Sequence, residues 1–208
     1  MTQGTLAIIG AGGHARVLGD CAEQVGWSAI HLFDGSDRPT PPGPWRAHGA
    51  PEALLDRLSE YGGVIVGLGA NAERLEWLDR IAARGGPIVS LLHPRSSVSA
   101  HALIGPGSAV LAGACVCVGA RIGRGAIINT NASVDHDTSL GEGVHVSPGA
   151  ALAGGVNVGA RTWVGVGSAV REGLTIGSDV VIGAGAVVIR DVEDGTTVVG
   201  NPARPMRR

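Results

Sequence analysis

The stretch RIGRGAIINTNASVDHDTSLGEGVHV, residues 121–146, decides the fold, because a large aliphatic residue returns at every sixth position. Ile122, Ile128, Val134, Leu140 and Val146 fall on that spacing, which holds outward from Val98 to Val188 over sixteen consecutive positions. Helices and strands repeat roughly every 3.6 and 2 residues, so neither accounts for it. Four residues after each aliphatic the side chain is almost always small, as at Ala114, Ala126, Thr138 and Ala150, with Leu174 the one large exception. A short β-segment with a large inward residue and a small one near the bend is the repeat of a hexapeptide parallel β-helix. Gly105, Gly123, Gly141, Gly159 and Gly177 recur every eighteen residues, so three hexapeptides close one triangular coil. About five coils are expected, with glycine where the backbone needs a positive φ or a close approach.

The rest of the composition narrows the class. In 208 residues there are 35 glycines but one Phe and one Tyr, so the core is built on Val, Ile, Leu and Ala. A net charge of −2 gives no electrostatic case for nucleic acid, and no basic run is interleaved with aromatics. The basic end, Arg204 to Arg208, reads as a solvated tail. The longest apolar stretch, Val180 to Ile189, is too short and glycine-rich to span a bilayer. Thr2 to Ile9 lacks the basic flank and the length of a secretory signal, so a cytoplasmic protein without membrane partners is expected. Cys21, Cys115 and Cys117 read as reduced packing residues, and Cys115 and Cys117 lack the second cysteine pair that a metal site needs.

Before the solenoid the periodicity changes. Leu6 to Ile9 reads as a strand, Gly10 to His14 as a tight loop, and Ala15 to Val25 as a helix with Val17, Leu18, Cys21 and Ala22 on one side. A second strand runs from Ala29 to Phe33 and ends at Asp34; a Pro-rich loop covers Pro39 to Pro51. A helix near Glu52 to Glu60, a strand at Val64 to Val66, a helix from Asn71 to Arg84 and a strand at Ile88 to Leu91 complete a small three-layer α/β domain with a parallel sheet. The expected division is a Rossmann-like domain over residues 1–93 and a β-helix over 94–208. Gly10, Gly12 and Ala15 form a partial dinucleotide fingerprint between strand and helix, followed by an acidic residue, Asp34, after the next strand. Gly12 and Gly13 leave the helix N-terminus open to a pyrophosphate, and His14 stands in the first turn beside whatever the loop holds. A tight strand-to-helix turn without a ligand would carry the same glycines. Asn71 and Arg74 are further nucleotide contacts on this reading, although a helix cap and a surface charge would look the same.

Gly10-Ala-Gly-Gly-His-Ala-Arg-Val17, His93-Pro94 at the junction, the unbroken hexad, Val134-Asp-His-Asp137 and Gly200-Asn-Pro-Ala-Arg204 occur together in this chain. The combination resembles the bacterial nucleotide-sugar acetyltransferases of the left-handed β-helix superfamily, which include UDP-4-amino-sugar N-acetyltransferases, GDP-perosamine N-acetyltransferase and sialic acid O-acetyltransferases. The resemblance covers nearly the whole chain. It implies a left-handed β-helix, although ordinary crossovers are right-handed. It also implies a homotrimer with acetyl-CoA in a groove between neighbouring β-helices, and an α/β domain that holds the nucleotide of a nucleotide-linked (UDP- or GDP-) amino sugar.

Matched onto that family, His136 is the general base for the attacking amine and Asp137 its orienting partner. Histidine suits the role because its ordinary pKa lies near working pH. His145 is placed against acetyl-CoA, and Gly183 and Ala184 in a region beside the CoA tail. His145 lies nine residues from His136, half a coil away, so the two would meet only across a subunit boundary. Gly154, one coil after His136 in the same column, leaves room beside the base and offers an N–H to the thioester oxygen. One departure stands out: many relatives carry two acidic residues after the second strand, whereas here Asp34 precedes Gly35. The leading function is an acetyl-CoA-dependent N-acetyltransferase that needs no metal and acts by direct attack, the latter because no cysteine or serine sits where an acyl relay would need it. The alternatives are a sugar O-acetyltransferase sharing these residues, a zinc hydratase, which would need three convergent histidines, and a purely structural trimer.

Overall fold

The computed structural model describes residues 3–35 and 43–206. Residues 39–42 of the Pro-rich loop and the last two residues of the basic end lie outside that range. The chain forms two compact units, Met1–Pro94 and Arg95–Arg208.

In the first unit β1 (Gln3–Ile9), α1 (Gly13–Gln24), β2 (Trp27–Phe33), α2 (Pro51–Leu55), β3 (Gly63–Val66) and α3 (Asn71–Ala82) alternate. The parallel sheet has the order β2-β1-β3, and Ile9 pairs with both Phe33 and Val66, so the three strands end level. Successive strand residues face opposite ways. Ala7, Ile9, Phe33, Val64 and Val66 therefore pack in one cluster with Leu54, Leu58 and Leu78, while Leu6, Ile8 and Leu32 are buried on the other side of the sheet. Helix α1 packs along β1 and β2 through Ala15, Leu18, Cys21 and Ala22, giving the expected three layers. Val17 does not join them and is 44% exposed.

Two elements differ from the sequence reading. The helix expected to Glu60 stops at Leu55 and resumes only as a 3-10 turn at Leu58–Glu60. The strand expected at Ile88 to Leu91 does not form as one piece: Ile88 makes a single bridge to Val64, and Leu91 belongs to a separate two-residue strand, Leu91–Leu92. Pro87 accepts from the Val64 N–H at 2.8 Å but has no N–H to return, so the ladder cannot extend backwards.

The second unit is a parallel β-solenoid of two-residue strands on three faces. One face carries Val98, Val116, Val134, Leu152, Val170 and Val188, and the next Ile104, Ile122, Leu140, Val158 and Ile176. The third runs from Ala109–Val110 to Thr197–Val199 and is closed by the antiparallel strand Arg204–Pro205. Six strands on two of the faces make six coils rather than the five expected. The hexad residues form one continuous core with the small bend residues between them. Each buried Val or Ile is worth roughly 1.5–3 kcal/mol. Buried hydroxyls at the bends serve the backbone of the next coil: Ser108 Oγ donates to the Gly123 carbonyl at 3.0 Å and accepts from the Ala126 N–H at 3.1 Å. Ion pairs follow the same period, as between Arg124 and Glu142 at 2.9 Å.

The eighteen-residue glycine column is a column of close approach only: a Cβ on Gly123 would lie 2.7 Å from the Glu142 nitrogen, and no member has a positive φ. Positive φ belongs to a different corner, three residues after each hexad position from Ile104 to Ile182. Glycine fills most of these corners, and Asn131, Asp137, Arg161 and Asp179 fill the rest. Gly123→Ala is therefore expected to destabilise by about 2 kcal/mol or more through overpacking. Gly149→Asn, at an open corner of the kind Asn131 already occupies, is expected to cost less than about 1 kcal/mol. Chemical unfolding of both variants checks this, and equal losses would contradict it.

Candidate functional site

The level ends of β1, β2 and β3 bring three glycine-bearing loops together. The strand order reverses at β1, and a crevice opens beyond the strand ends at such a switch point. Here it is a cleft of about 830 Å³. Gly10 to His14 line one side, Asp34 and Gly35 a second, and Gly67 to Gly69 a third. Gly10, at φ +105°, turns the chain from strand to helix and donates its N–H to the Phe33 carbonyl at 2.7 Å. Gly12 caps α1 without any side-chain hydrogen bond, and neither Gly12 nor Gly13 has a neighbour within 4 Å of where a Cβ would be. No acidic residue stands in the first turn of α1, whose positive end opens on the cleft with Asp34 beside it.

Asp34 Oδ2 accepts the Ala11 N–H at 2.7 Å, so this carboxylate fixes the glycine loop to the end of β2. Asn71 does not line the cleft. Its Oδ1 accepts from Arg74 at 2.9 Å, and Arg74, almost fully buried, also donates to the Leu68 carbonyl at 2.9 Å. Burial lowers the Arg74 pKa to about 10, so it stays charged at neutral pH and holds the third loop in place. Pro51, Glu52, Glu73 and Trp77 complete the cleft, and the sequence reading did not single them out. The readable signal was Gly67-Leu-Gly69, which repeats the glycine loop of β1 at the end of β3.

In the β-helix His136 follows the inward Val134 at a corner and its side chain is 58% exposed. The corner is pinned from both neighbouring coils: the Gly155 N–H donates to the His136 carbonyl at 2.9 Å, and the Asp137 N–H to the Val118 carbonyl at 3.1 Å. Asp137 sits in the left-handed conformation, φ +58°, where most corners carry glycine. Asp and Asn tolerate it better than other residues with a Cβ. From there Asp137 Oδ2 lies 2.9 Å from His136 Nδ1, while Asp135 Oδ1 accepts the His136 backbone N–H at 2.7 Å. The bond to Asp137, and then the charge of Asp135, raise the His136 pKa above its ordinary value. The remaining ring edge lies over Gly154, where any Cβ would run into the imidazole.

His145 lies on another face of the coil, in the strand His145–Val146, so it is not brought to His136 within one chain. It is buried, 5.6 Å from the Trp163 ring and nearly parallel to it, and its Nε2 is 3.1 Å from Asn129 Nδ2. Trp163 Nε1 donates to Ser147 Oγ at 2.6 Å. Gly183 and Ala184 follow the strand Val181–Ile182 on this same face, with Ala184 exposed and Gly183 packed close to Val199. Cys115 and Cys117 are free thiols 3.8 Å apart, and burial, with bonds to Cys115 and Asp135, pushes the Cys117 pKa up to about 11. Among the described residues no group of three or more His, Cys, Asp or Glu is placed to hold a metal, and no helix is long and apolar enough to cross a membrane.

Residues 5–81 match the family described as PglD N-terminal domain. The whole chain is similar to the acetyltransferase domain of PglB from Neisseria gonorrhoeae FA1090 in complex with acetyl coenzyme A, at 39% identity over 99% of this chain and 100% of that one, with a TM-score of 0.93. The chain belongs to the hexapeptide-repeat acyltransferases. A mutant of perosamine N-acetyltransferase from Caulobacter crescentus, in complex with CoA and GDP-perosamine, is 36% identical over 98% of this chain and 97% of that one, with a TM-score of 0.93. WeeI from Acinetobacter baumannii AYE shares the fold at 23% identity and a TM-score of 0.88, over 98% of this chain and 100% of that one. No curated protein sequence matches.

Within this acyltransferase the imidazole provides a direct check of the site. Asp137→Asn keeps the shape of the corner but replaces the carboxylate that faces His136 Nδ1 with a neutral amide, so the His136 pKa is expected to fall. Titration of the ring protons by NMR would show it, and an unmoved midpoint would contradict the pairing.

Proposed function

We propose that the chain is an acetyl-CoA-dependent N-acetyltransferase that acylates the amino group of a nucleotide-linked amino-deoxy sugar. The observation that carries this reading is the pairing, in one chain, of an anion-ready cleft on the α/β unit with a carboxylate-oriented imidazole over bare backbone on the β-helix. The acetyl-CoA complex of the PglB domain and the CoA and GDP-perosamine complex of perosamine N-acetyltransferase support the assignment of donor and acceptor.

The amine must be neutral to attack the thioester carbonyl, and it becomes cationic as the C–N bond forms. His136 Nε2 accepts that proton while Nδ1–H donates to Asp137, which orients the ring and stabilises the imidazolium. Asp135 adds a second negative charge. The raised pKa makes His136 a stronger base at the cost of a smaller neutral fraction at low pH, so activity rises with pH through a value above the ordinary histidine one. The tetrahedral intermediate collapses with loss of the CoA thiolate, and the Gly154 N–H is the donor assigned to its oxyanion. The pyrophosphate of the sugar lies at the N-terminus of α1, against Gly12, Gly13 and His14, where the helix dipole favours negative charge. His145, Gly183 and Ala184 share the face assigned to CoA.

That face and the His136 corner are separate on one prism, so the complete site is assigned to the boundary between subunits of a homotrimer. Apolar surface supports this: Val118, one coil before His136 in its column, is 53% exposed, and Trp163 is 48% exposed.

Two substitutions test the division of labour. His136→Asn is expected to lower kcat by roughly 10²- to 10⁴-fold with acetyl-CoA affinity nearly intact. Gly12→Val, whose Cβ has no neighbour within 4 Å, is expected to fold normally and to raise KM for the nucleotide sugar much more than for acetyl-CoA. Near-normal turnover in the first variant, or equal effects on both substrates in the second, would overturn the reading.

A further inference from the structure

The wall of the cleft away from the glycine loop has a chemistry of its own. Among the described residues, the side chains lining the cleft include no Ser, Thr, Asn, Gln, Lys or Arg. The charged ones are carboxylates, Asp34, Glu52 and Glu73. Asp34 is committed to the Ala11 N–H, and Glu52 pairs with Arg80 at 3.5 Å. Glu73 stands in the first turn of α3, four residues before Trp77, so both lie on one side of that helix. Trp77 contributes an apolar wall with Pro51, and its ring is backed by Arg80, 3.8 Å from its centroid.

An ionised carboxylate only accepts hydrogen bonds, through two adjacent oxygens. Guanine offers the matching edge, with two neighbouring donors in N1–H and the N2 amino group. Uracil presents a single N–H between two carbonyl oxygens, which would be turned toward the carboxylate unpaired. Adenine and cytosine place an acceptor nitrogen beside their one amino donor. The volume is that of a pocket for a nucleotide-sized ligand.

Building on the nucleotide-sugar reading above, we infer that the cleft selects a guanine base, which lies against Trp77 and Pro51 and donates N1–H and N2–H to Glu73. The sugar substrate is then GDP-linked. Glu73 is exposed and forms no part of the packed core, so its replacement leaves the fold intact.

Calorimetric titration of the full chain with GDP, IDP and UDP tests the inference. GDP is expected to bind roughly 10- to 100-fold tighter than UDP, the range for hydrogen bonds to a charged group. IDP, which keeps N1–H but lacks the 2-amino group, should fall between them. Glu73→Gln should remove most of the GDP advantage and leave UDP unchanged, while Glu52→Gln should preserve it. UDP binding as tightly as GDP would overturn the base selection and leave the nucleotide-sugar reading standing. An unchanged ratio in Glu73→Gln, or a lost one in Glu52→Gln, would overturn the role of Glu73. Failure of all three nucleotides to bind would overturn the nucleotide-sugar reading itself, and this inference with it.

Discussion

Each coil of the β-helix is held to the next by parallel backbone pairing at a separation of eighteen residues, as between Val116, Val134 and Leu152. That register governs the rest of the structure. It stacks the aliphatics into one continuous core and forces glycine wherever successive turns approach too closely for a Cβ. It also turns sequence offsets into columns on the outer surface. His136 and Gly154 become neighbours because one coil separates them, and Val118 lies beneath the same corner for the same reason. A side chain on such a frame needs little further support: both flanking coils hydrogen-bond the His136 corner, and the adjacent carboxylates hold the ring and its backbone N–H.

The Asp137 corner shows how structure and chemistry share a position. Most turns of this type spend the left-handed residue on glycine, which contributes no side chain. At Asp137 the chain accepts a conformation that costs most residues with a Cβ about 1–2 kcal/mol and Asp or Asn less, and obtains a carboxylate aimed at the imidazole next door. Asn131, Arg161 and Asp179 occupy equivalent corners, and Arg161 and Asp179 use them for an ion pair between coils at 2.6 Å. The position is thus one where this fold can place polar function without disturbing its core.

Much of this was legible in the sequence, and the gaps have physical causes. The hexad identified the solenoid because its core is a pure repeat, but the coil count fell short because the last coil is two residues shorter. Val181 pairs with Thr197, sixteen residues on, and the aliphatics leave the spacing of six after Val188. The glycine loop, Asp34 and the His136 corner are local in sequence and could be read directly. Glu52, Glu73 and Trp77 could not, because helices that return across the sheet bring them to the cleft. Asn71 looked like a ligand contact for the opposite reason: beside a glycine loop it has the right chemistry, but its carboxamide is used to hold Arg74.

On the proposed function a sugar amine, carried by its nucleotide, is acylated at the His136 corner. The most direct measurement is CoA release from acetyl-CoA in the presence of nucleotide-linked amino sugars, with the linkage in the product determined by NMR. An N-acetyl amide, formed only from sugars with a free amine, is the expected result. An O-acetyl ester, or no CoA release with any such sugar, would contradict it.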